Sequence, residues 1–369
     1  MKLLLLDQYS ESGGAQQCLL ELLPAMLECG WECTVGLPGE GPLVERVREL
    51  GIPVEGIECG PYESGRKSLA DLARFAAGTP QLARRIGRLA RPADLVYVNG
   101  PRLLPAVAWA ELGRPVVFHA HSFLPPGAVR KLTGHSLRNA HASVIASCEF
   151  VGAPWRPYVG NERVWVIYNG VKESPMPHLP GPPRIGCIGR IAPEKGQREF
   201  VAAAAAIHRA LPDCCFAIYG APMFASEGYA EDVRAAASNL PVEFRGWVAD
   251  IYEALAELDL VLVPSAPHEA TTRVILESFA AGVPVVAFRS GGIPEVVEHG
   301  TGGWLADDVE EMARLAIEYL NGPRTEASAA ARENWRGRFT LDGFRRDVLD
   351  FVERHARRPP APVITISRT

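Results

Sequence analysis

The feature that most limits how this chain can fold is an alternation. Short apolar runs bounded by turn residues are separated by longer stretches with helical spacing, and the whole pattern occurs twice. A strand buried on both faces reads as a continuous apolar run, so the alternation predicts parallel sheets covered by helices, an α/β architecture. The first set of runs is 3–6, 34–37, 95–98, 116–118, 143–146 and 164–167, and the second is 185–188, 216–219, 260–263 and 284–287. Between them, 174–183 is dense in proline and poor in periodic apolar residues, which marks an interdomain linker. The halves echo each other: DLVYV at Asp94 matches DLVLV at Asp259, and LGRPVVF at Leu112 matches AGVPVVA at Ala281. The expected organisation is an N-terminal domain over 1–172, a second domain over 173–340, an amphipathic helix over 341–356 that packs back toward the first domain, and a poorly ordered tail from 357.

Length and charge narrow the function. A chain of 369 residues, 47% hydrophobic, is long enough for two buried cores. Its net charge of −5 and lack of basic blocks interleaved with aromatics argue against a nucleic-acid partner. Charge is uneven, with 18 basic and 16 acidic residues up to Lys172 but 20 and 27 beyond it. The opening MKLLLLDQ is too short for a signal-peptide core or a membrane span, which predicts a cytoplasmic protein. Eight cysteines are scattered without CxxC pairing and are expected as free, mostly buried thiols.

The stretch from Val263 to Val297 carries the most chemistry. Glu269 and Glu277 have seven residues between them; on one helix that places them about 12 Å apart along the axis and about 80° around it. Two carboxylates so placed can hold one extended ligand at separate points, while amides at the helix start face phosphates. In IGRIAPEKGQ, Arg190 and Lys195 fall in a strand-to-helix loop, where two cations can converge on a diphosphate. Gly13 and Gly14 follow the first run and precede a helix, so their bare backbone can approach a ligand. His119 and His121 lie at the end of a strand, at the carboxyl edge where open α/β sheets bind ligands. A metal site is not expected there, since no third ligand is evident and alternate residues of a strand face opposite ways.

Together these segments resemble the family 4 retaining glycosyltransferases, which have the GT-B fold: two Rossmann-like domains whose parallel sheets face a central cleft. The resemblance covers nearly the whole chain to Glu353 and is strongest in the second half. It implies that Glu269 contacts the donor sugar, that Glu277 holds the nucleotide ribose, and that Arg190 and Lys195 bind the donor phosphates. Gly13 and Gly14 would close over the phosphate, and FHAHS implies that His121 lies near the transferred sugar, with His119 structural. FRGWV would bring Gly246 and Trp247 near the base. YNGV, from Tyr168, resembles the family's entry into the second domain, although Lys172 follows where aspartate is common. Ala270, Thr271, Thr272 and Arg273 would line the donor. Three of these depart from the family, which usually has glycine at the positions of Ala270 and Thr272 and an apolar residue at that of Arg273.

The implied activity moves a sugar, with retention, from a nucleotide diphosphate donor, UDP-linked by default, to a glycan, lipid-linked or small-molecule hydroxyl. No cofactor and no metal are expected, since the DxD motif of the other large glycosyltransferase fold is absent. A nucleotide-sugar epimerase of the same fold and a catalytically silent nucleotide-sugar binding protein are the rival readings. Arg84, Arg88 and Arg91 form a basic helix face opposite Phe75, Leu82, Ile86 and Leu89. That face is either solvated or a peripheral contact with the inner face of an anionic membrane. Arg273 is likewise read two ways, as a phosphate contact or as a solvated arginine.

Overall fold

Four consecutive leucines build the first strand, β1 (Lys2–Leu6), all four of them buried. In this computed structural model, which describes residues 1–11, 13–59, 68–222 and 227–357, it is joined by β2 (Glu32–Leu37), β3 (Val54–Gly56), β4 (Leu95–Val98), β5 (Val116–Ala120), β6 (Ser143–Ala146) and β7 (Val164–Val166). Their order is β3-β2-β1-β4-β5-β6-β7, with every neighbouring pair parallel. The second set is β8 (Arg184–Ile188), β9 (Cys215–Tyr219), β10 (Val242–Gly246), β11 (Leu260–Val263), β12 (Val285–Phe288) and β13 (Gly303–Ala306). Their order, β10-β9-β8-β11-β12-β13, repeats the first arrangement without its last strand, and these pairs are parallel too.

The internal echo therefore falls on topologically matched strands: DLVYV forms β4 and DLVLV forms β11, each beside the first strand of its sheet. The two aspartates do the same work. Lys2 N donates to Asp94 Oδ2 at 2.7 Å and Arg184 N donates to Asp259 Oδ2 at 2.9 Å, so each carboxylate clips the start of its sheet's first strand. In return, the aspartate amides donate to the Lys2 and Arg184 carbonyls. These clips set register at the amino ends and leave the carboxyl ends free for chemistry.

Two compact units result: Met1–Ile167 with the stretch from Arg345, and Tyr168–Phe344. Tyr168–Val171 lie with the second unit. Val171 N donates to the Phe339 carbonyl at 2.9 Å, and Trp335 Nε1 donates to the Val171 carbonyl at 3.1 Å. At Gly170 a Cβ would fall 2.3 Å from the Thr340 carbonyl oxygen, so YNGV needs its glycine for this close approach. Helix Leu341–Ala356 begins in the second unit and continues into the first, where Phe351 meets Trp165 edge-on at 5.0 Å. The tail expected to be poorly ordered lies, from residue 358, outside the described residues.

Three strands have no counterpart among the expected runs: β3, β10 and β13, each at a sheet edge. An edge strand has one open flank, so its apolar run is easily broken. The residues of β3 are half-buried or exposed, and those of β10 alternate between the two. Of the eight cysteines, six are buried, Cys215 is half-buried and Cys29 is exposed. No helix among the described residues is long and apolar enough to cross a membrane.

Candidate active site

At the carboxyl edge of the second sheet, β8 runs into a loop that carries Arg190, a single 3-10 turn at Pro193–Lys195, and helix Gln197–Ala210. Gly196 makes the bend with φ +72°, and a Cβ there would sit 2.1 Å from the Pro264 carbonyl oxygen. Only glycine allows this loop to lie against the end of β11. Buried Gln197 fixes the loop from within, donating to the Arg190 carbonyl at 2.9 Å and accepting from Ala192 N at 3.3 Å. The amide of Ala266 in turn donates to the Glu194 carbonyl at 3.1 Å, binding the loop to the segment that holds Glu269.

Glu269 is not on a helix. The helix starts at Arg273, with Thr272 as its N-cap, so the helical separation expected between Glu269 and Glu277 does not apply. The turn after β12 places the glutamate instead. Gly292 N donates to the Glu269 carbonyl at 3.0 Å, and at Gly291, where φ is +56°, a Cβ would come within 1.8 Å of that oxygen. Gly291 of FRSGG is thus needed to support Glu269 from behind, and Gly292 adds its amide.

Every cation here meets a carboxylate. Lys195 Nζ donates to Glu269 Oε2 at 2.5 Å, Arg190 to Glu194 Oε1 at 2.7 Å, and Arg273 to Glu277 Oε1 at 3.2 Å. The last pair is the most enclosed, with side chains only 14% and 13% exposed, so Arg273 is no solvated surface residue. Ala270 and Thr271 are buried, and the Thr271 hydroxyl, at the mouth of the helix, has no hydrogen-bond partner. Gly246 ends β10 with φ +71°, its carbonyl accepting from Gly220 N at 2.7 Å, and the next residue, Trp247, is 65% exposed.

The first sheet carries a different chemistry at its carboxyl edge. Asp7, directly after β1, is fully buried and accepts from Tyr9 N at 2.9 Å, from Gln16 Nε2 at 2.9 and 3.1 Å, and from Asn99 Nδ2 at 2.6 Å. Burial pushes its carboxyl up to about 6 although Asn99, Tyr9 and Gln16 oppose the shift. Asn99 follows β4, and its Oδ1 lies 2.7 Å from His121 Nε2. Gly13 is the N-cap and Gly14 the first residue of the helix that bears Gln16.

His119 and His121 do not face opposite ways. Their ring centroids are 3.9 Å apart, because β5 ends at Ala120 and strand alternation no longer governs His121. His119 is buried, and its Nδ1 meets the Tyr97 hydroxyl. Burial holds its imidazole well below the usual range, with His121 adding to the shift, so it stays neutral. The Tyr97 phenol is pushed well up by burial and stays un-ionised, so the bond joins two neutral groups. Among the described residues, no three His, Cys, Asp or Glu side chains gather as metal ligands. In the helix Leu69–Ala90, Leu82 and Ile86 are buried, while Arg84 and Arg88, with Arg91 just beyond its end, are exposed.

Asp7 and Asn99 were not legible as site residues from their positions. An aspartate that ends a leucine run reads as a turn residue, and VNG reads as a loop. Their one shared signal is placement right after the first and fourth strands, the switch point where the strand order reverses.

Comparison with known proteins adds context. Residues 13–170 match the family model described as Glycosyl transferase 4-like domain, and residues 182–322 match that of Glycosyl transferases group 1. A GDP-mannose-dependent monoacylated α-(1-6)-phosphatidylinositol monomannoside mannosyltransferase of Corynebacterium glutamicum is 33% identical over 160 residues, which cover 40% of this chain and 41% of that protein. A GDP-mannose-dependent α-(1-6)-phosphatidylinositol monomannoside mannosyltransferase of Mycolicibacterium smegmatis is 33% identical over 176 residues, 42% of this chain and 45% of that protein. The chain thus spans less than half the length of the curated relatives it matches. Over nearly its whole length it resembles the crystal structure of Anabaena HepE in complex with UDP, with a TM-score of 0.82 and 26% identity over 96% of this chain and 100% of that one.

Proposed function

Because the chain belongs to the family 4 glycosyltransferases of the GT-B fold, we propose that it is a retaining, metal-independent enzyme that moves a sugar from a nucleoside diphosphate sugar to a hydroxyl acceptor. The observation that carries this reading is the set of matched charges at the second sheet's edge. Arg190 and Lys195 are each balanced by a glutamate, and a donor diphosphate would replace Glu194 and Glu269 as their partner. Released from Lys195, Glu269 could accept from a sugar hydroxyl, while Glu277 turns to the ribose. As the bond from the anomeric carbon to phosphate lengthens, the two cations stabilise charge growing on the leaving diphosphate, the part a metal ion plays elsewhere. Front-face attack, with a donor phosphate oxygen taking the acceptor's proton, would retain the anomeric configuration.

A UDP-sugar is the favoured donor, supported by HepE, whose structures contain UDP and UDP-glucose. The mannosyltransferase relatives are named for GDP-mannose and a phosphatidylinositol glycolipid, which supports keeping GDP-sugars and lipid-linked acceptors in the test. Release of nucleoside diphosphate is measured in EDTA with UDP- and GDP-sugars, with and without glycan, glycolipid and small-molecule acceptors, and the product anomer is read by NMR. Acceptor-dependent release with an α-linked product is expected from an α-linked donor. Activity that needs added manganese, or a β-linked product, would contradict the mechanism.

A further inference from the structure

We propose that Asp7 is a positioning residue of the transfer reaction: acting through Asn99, it fixes His121 in the tautomer that carries its proton on Nε2 and keeps a lone pair on Nδ1. The inference rests on the reading of the chain as a glycosyltransferase with His121 beside the transferred sugar.

The side-chain amide of Asn99 can face two ways. Asn99 Nδ2 lies 2.6 Å from Asp7 Oδ2 and 3.2 Å from the Ala15 carbonyl oxygen. An ionised carboxylate and a carbonyl both only accept, so the amide nitrogen must point at them; a flipped amide would set oxygen against two oxygens. That orientation turns Asn99 Oδ1 toward His121 Nε2, at 2.7 Å, and an amide oxygen can only accept. His121 must therefore donate from Nε2. A neutral imidazole has one proton, so Nδ1, a buried atom, keeps a lone pair and can only accept.

Two more groups hold the carboxylate. Gln16 Nε2 reaches both oxygens, and Tyr9 N reaches Oδ1. Every polar hydrogen around Asp7 points inward, so the ionised form is the one the pocket serves, and it prevails above about pH 6. The buried Cys59 thiol also feels this carboxylate, but burial pushes it up to about 11 and it stays neutral beside an ionised Asp7. His119, whose ring centroid lies 3.9 Å from that of His121, is neutral as well.

Replacing the carboxylate by an amide reverses the logic. In Asp7→Asn the new amide group can donate to Asn99 Oδ1, which lets Asn99 flip and offer Nδ2 to His121; the histidine then accepts at Nε2 and carries its proton on Nδ1. The test is 15N NMR of histidine-labelled, ligand-free full-length protein, paired with steady-state kinetics. Wild type is expected as the Nε2–H tautomer, and Asp7→Asn as Nδ1–H, with kcat about tenfold lower or more and donor KM within about threefold, the loss of one aligned hydrogen bond. Asn99→Leu cuts the same link without touching the carboxylate and should give a mixed tautomer with a similar loss of kcat; it decides the matter if Asp7→Asn does not fold. Nε2–H retained in a folded variant, with kcat within about twofold of wild type, overturns the proposal. The spectra need no substrate, so a wild type that holds Nε2–H but transfers nothing would overturn the glycosyltransferase reading and leave the tautomer lock standing.

Discussion

The two units share a strand order and a clip at the start of the first strand, yet their carboxyl edges are built on opposite electrostatic plans. In the second, three cations and three carboxylates are arranged as partly exposed pairs, Arg190–Glu194, Lys195–Glu269 and Arg273–Glu277. In the first, one buried carboxylate, Asp7, is met by amide donors alone. Ion pairs near solvent can exchange partners when an anion arrives, because water screens each charge while the pair is open. A buried carboxylate held by aligned amides cannot, since every bond lost leaves a desolvated group unsatisfied. The same scaffold thus supplies a surface that can re-pair around a diphosphate and a rigid one that can hold a single imidazole in a fixed state.

The comparison breaks most visibly if the cations of the second unit prove idle. Arg190→Ala and Lys195→Ala are each expected to lower kcat by on the order of a hundredfold, since in the proposed reaction each would stabilise charge that develops in the transition state. Near-normal turnover in either variant would mean that the phosphate cradle lies elsewhere.

The contrast also has a thermodynamic signature in the first unit. Burial raises the Asp7 pKa from 3.8 to about 6, so the folded protein holds that proton more tightly than the unfolded chain. The stability this contributes is fully present below about pH 4 and is lost as pH rises to about 6, by on the order of 2–3 kcal/mol. Urea unfolding across that range should show the loss in wild type and its absence in Asp7→Asn. Identical slopes in the two proteins would mean that Asp7 titrates normally.

A smaller effect would sharpen the picture of the enclosed pair. Arg273 ties up Glu277, so Arg273→Leu should change donor KM by roughly three- to tenfold and weaken donors with acidic sugars most. Thr272→Gly should admit donors that the parent rejects. A donor panel ranked alike in the parent and both variants would make these positions silent. Smallest of all, replacing Arg84, Arg88 and Arg91 together should shift stability by less than about 0.5 kcal/mol each, as for exposed residues without buried partners. Sedimentation with anionic vesicles is the informative readout for this face: weakened binding would mark it as a membrane contact, and unchanged binding would leave it solvated.

What was legible in the sequence follows from burial. Central strands such as β4, β6 and β11 read cleanly because both faces are covered and the apolar run has sharp ends. Of the four edge strands only β7, whose run 164–167 stays apolar, read as a strand; β3 and β10 alternate or lie half-exposed and make no continuous run. Arg190, Lys195, Glu269 and Glu277 could be singled out because a strand, a glycine and a charged residue recur at short spacing, yet the Lys195–Glu269 pair could not: it joins turns 74 residues apart, with Glu269 set by the packing of Gly291. Asp7, Asn99 and His121 come together across 92 and 22 residues of chain, by parallel register alone. Local pattern does not encode a contact of that kind.

Binding of a nucleoside diphosphate sugar through the cations of the second unit, without a metal ion, is open to a direct measurement. Thermal and urea unfolding in EDTA, with a panel of UDP- and GDP-sugars, tests it most directly. One donor at a hundred times its Kd should add about 2.7 kcal/mol to wild-type stability and much less to Lys195→Ala. Stabilisation that appears only when divalent metal is restored, or that is equal in wild type and Lys195→Ala, would contradict it.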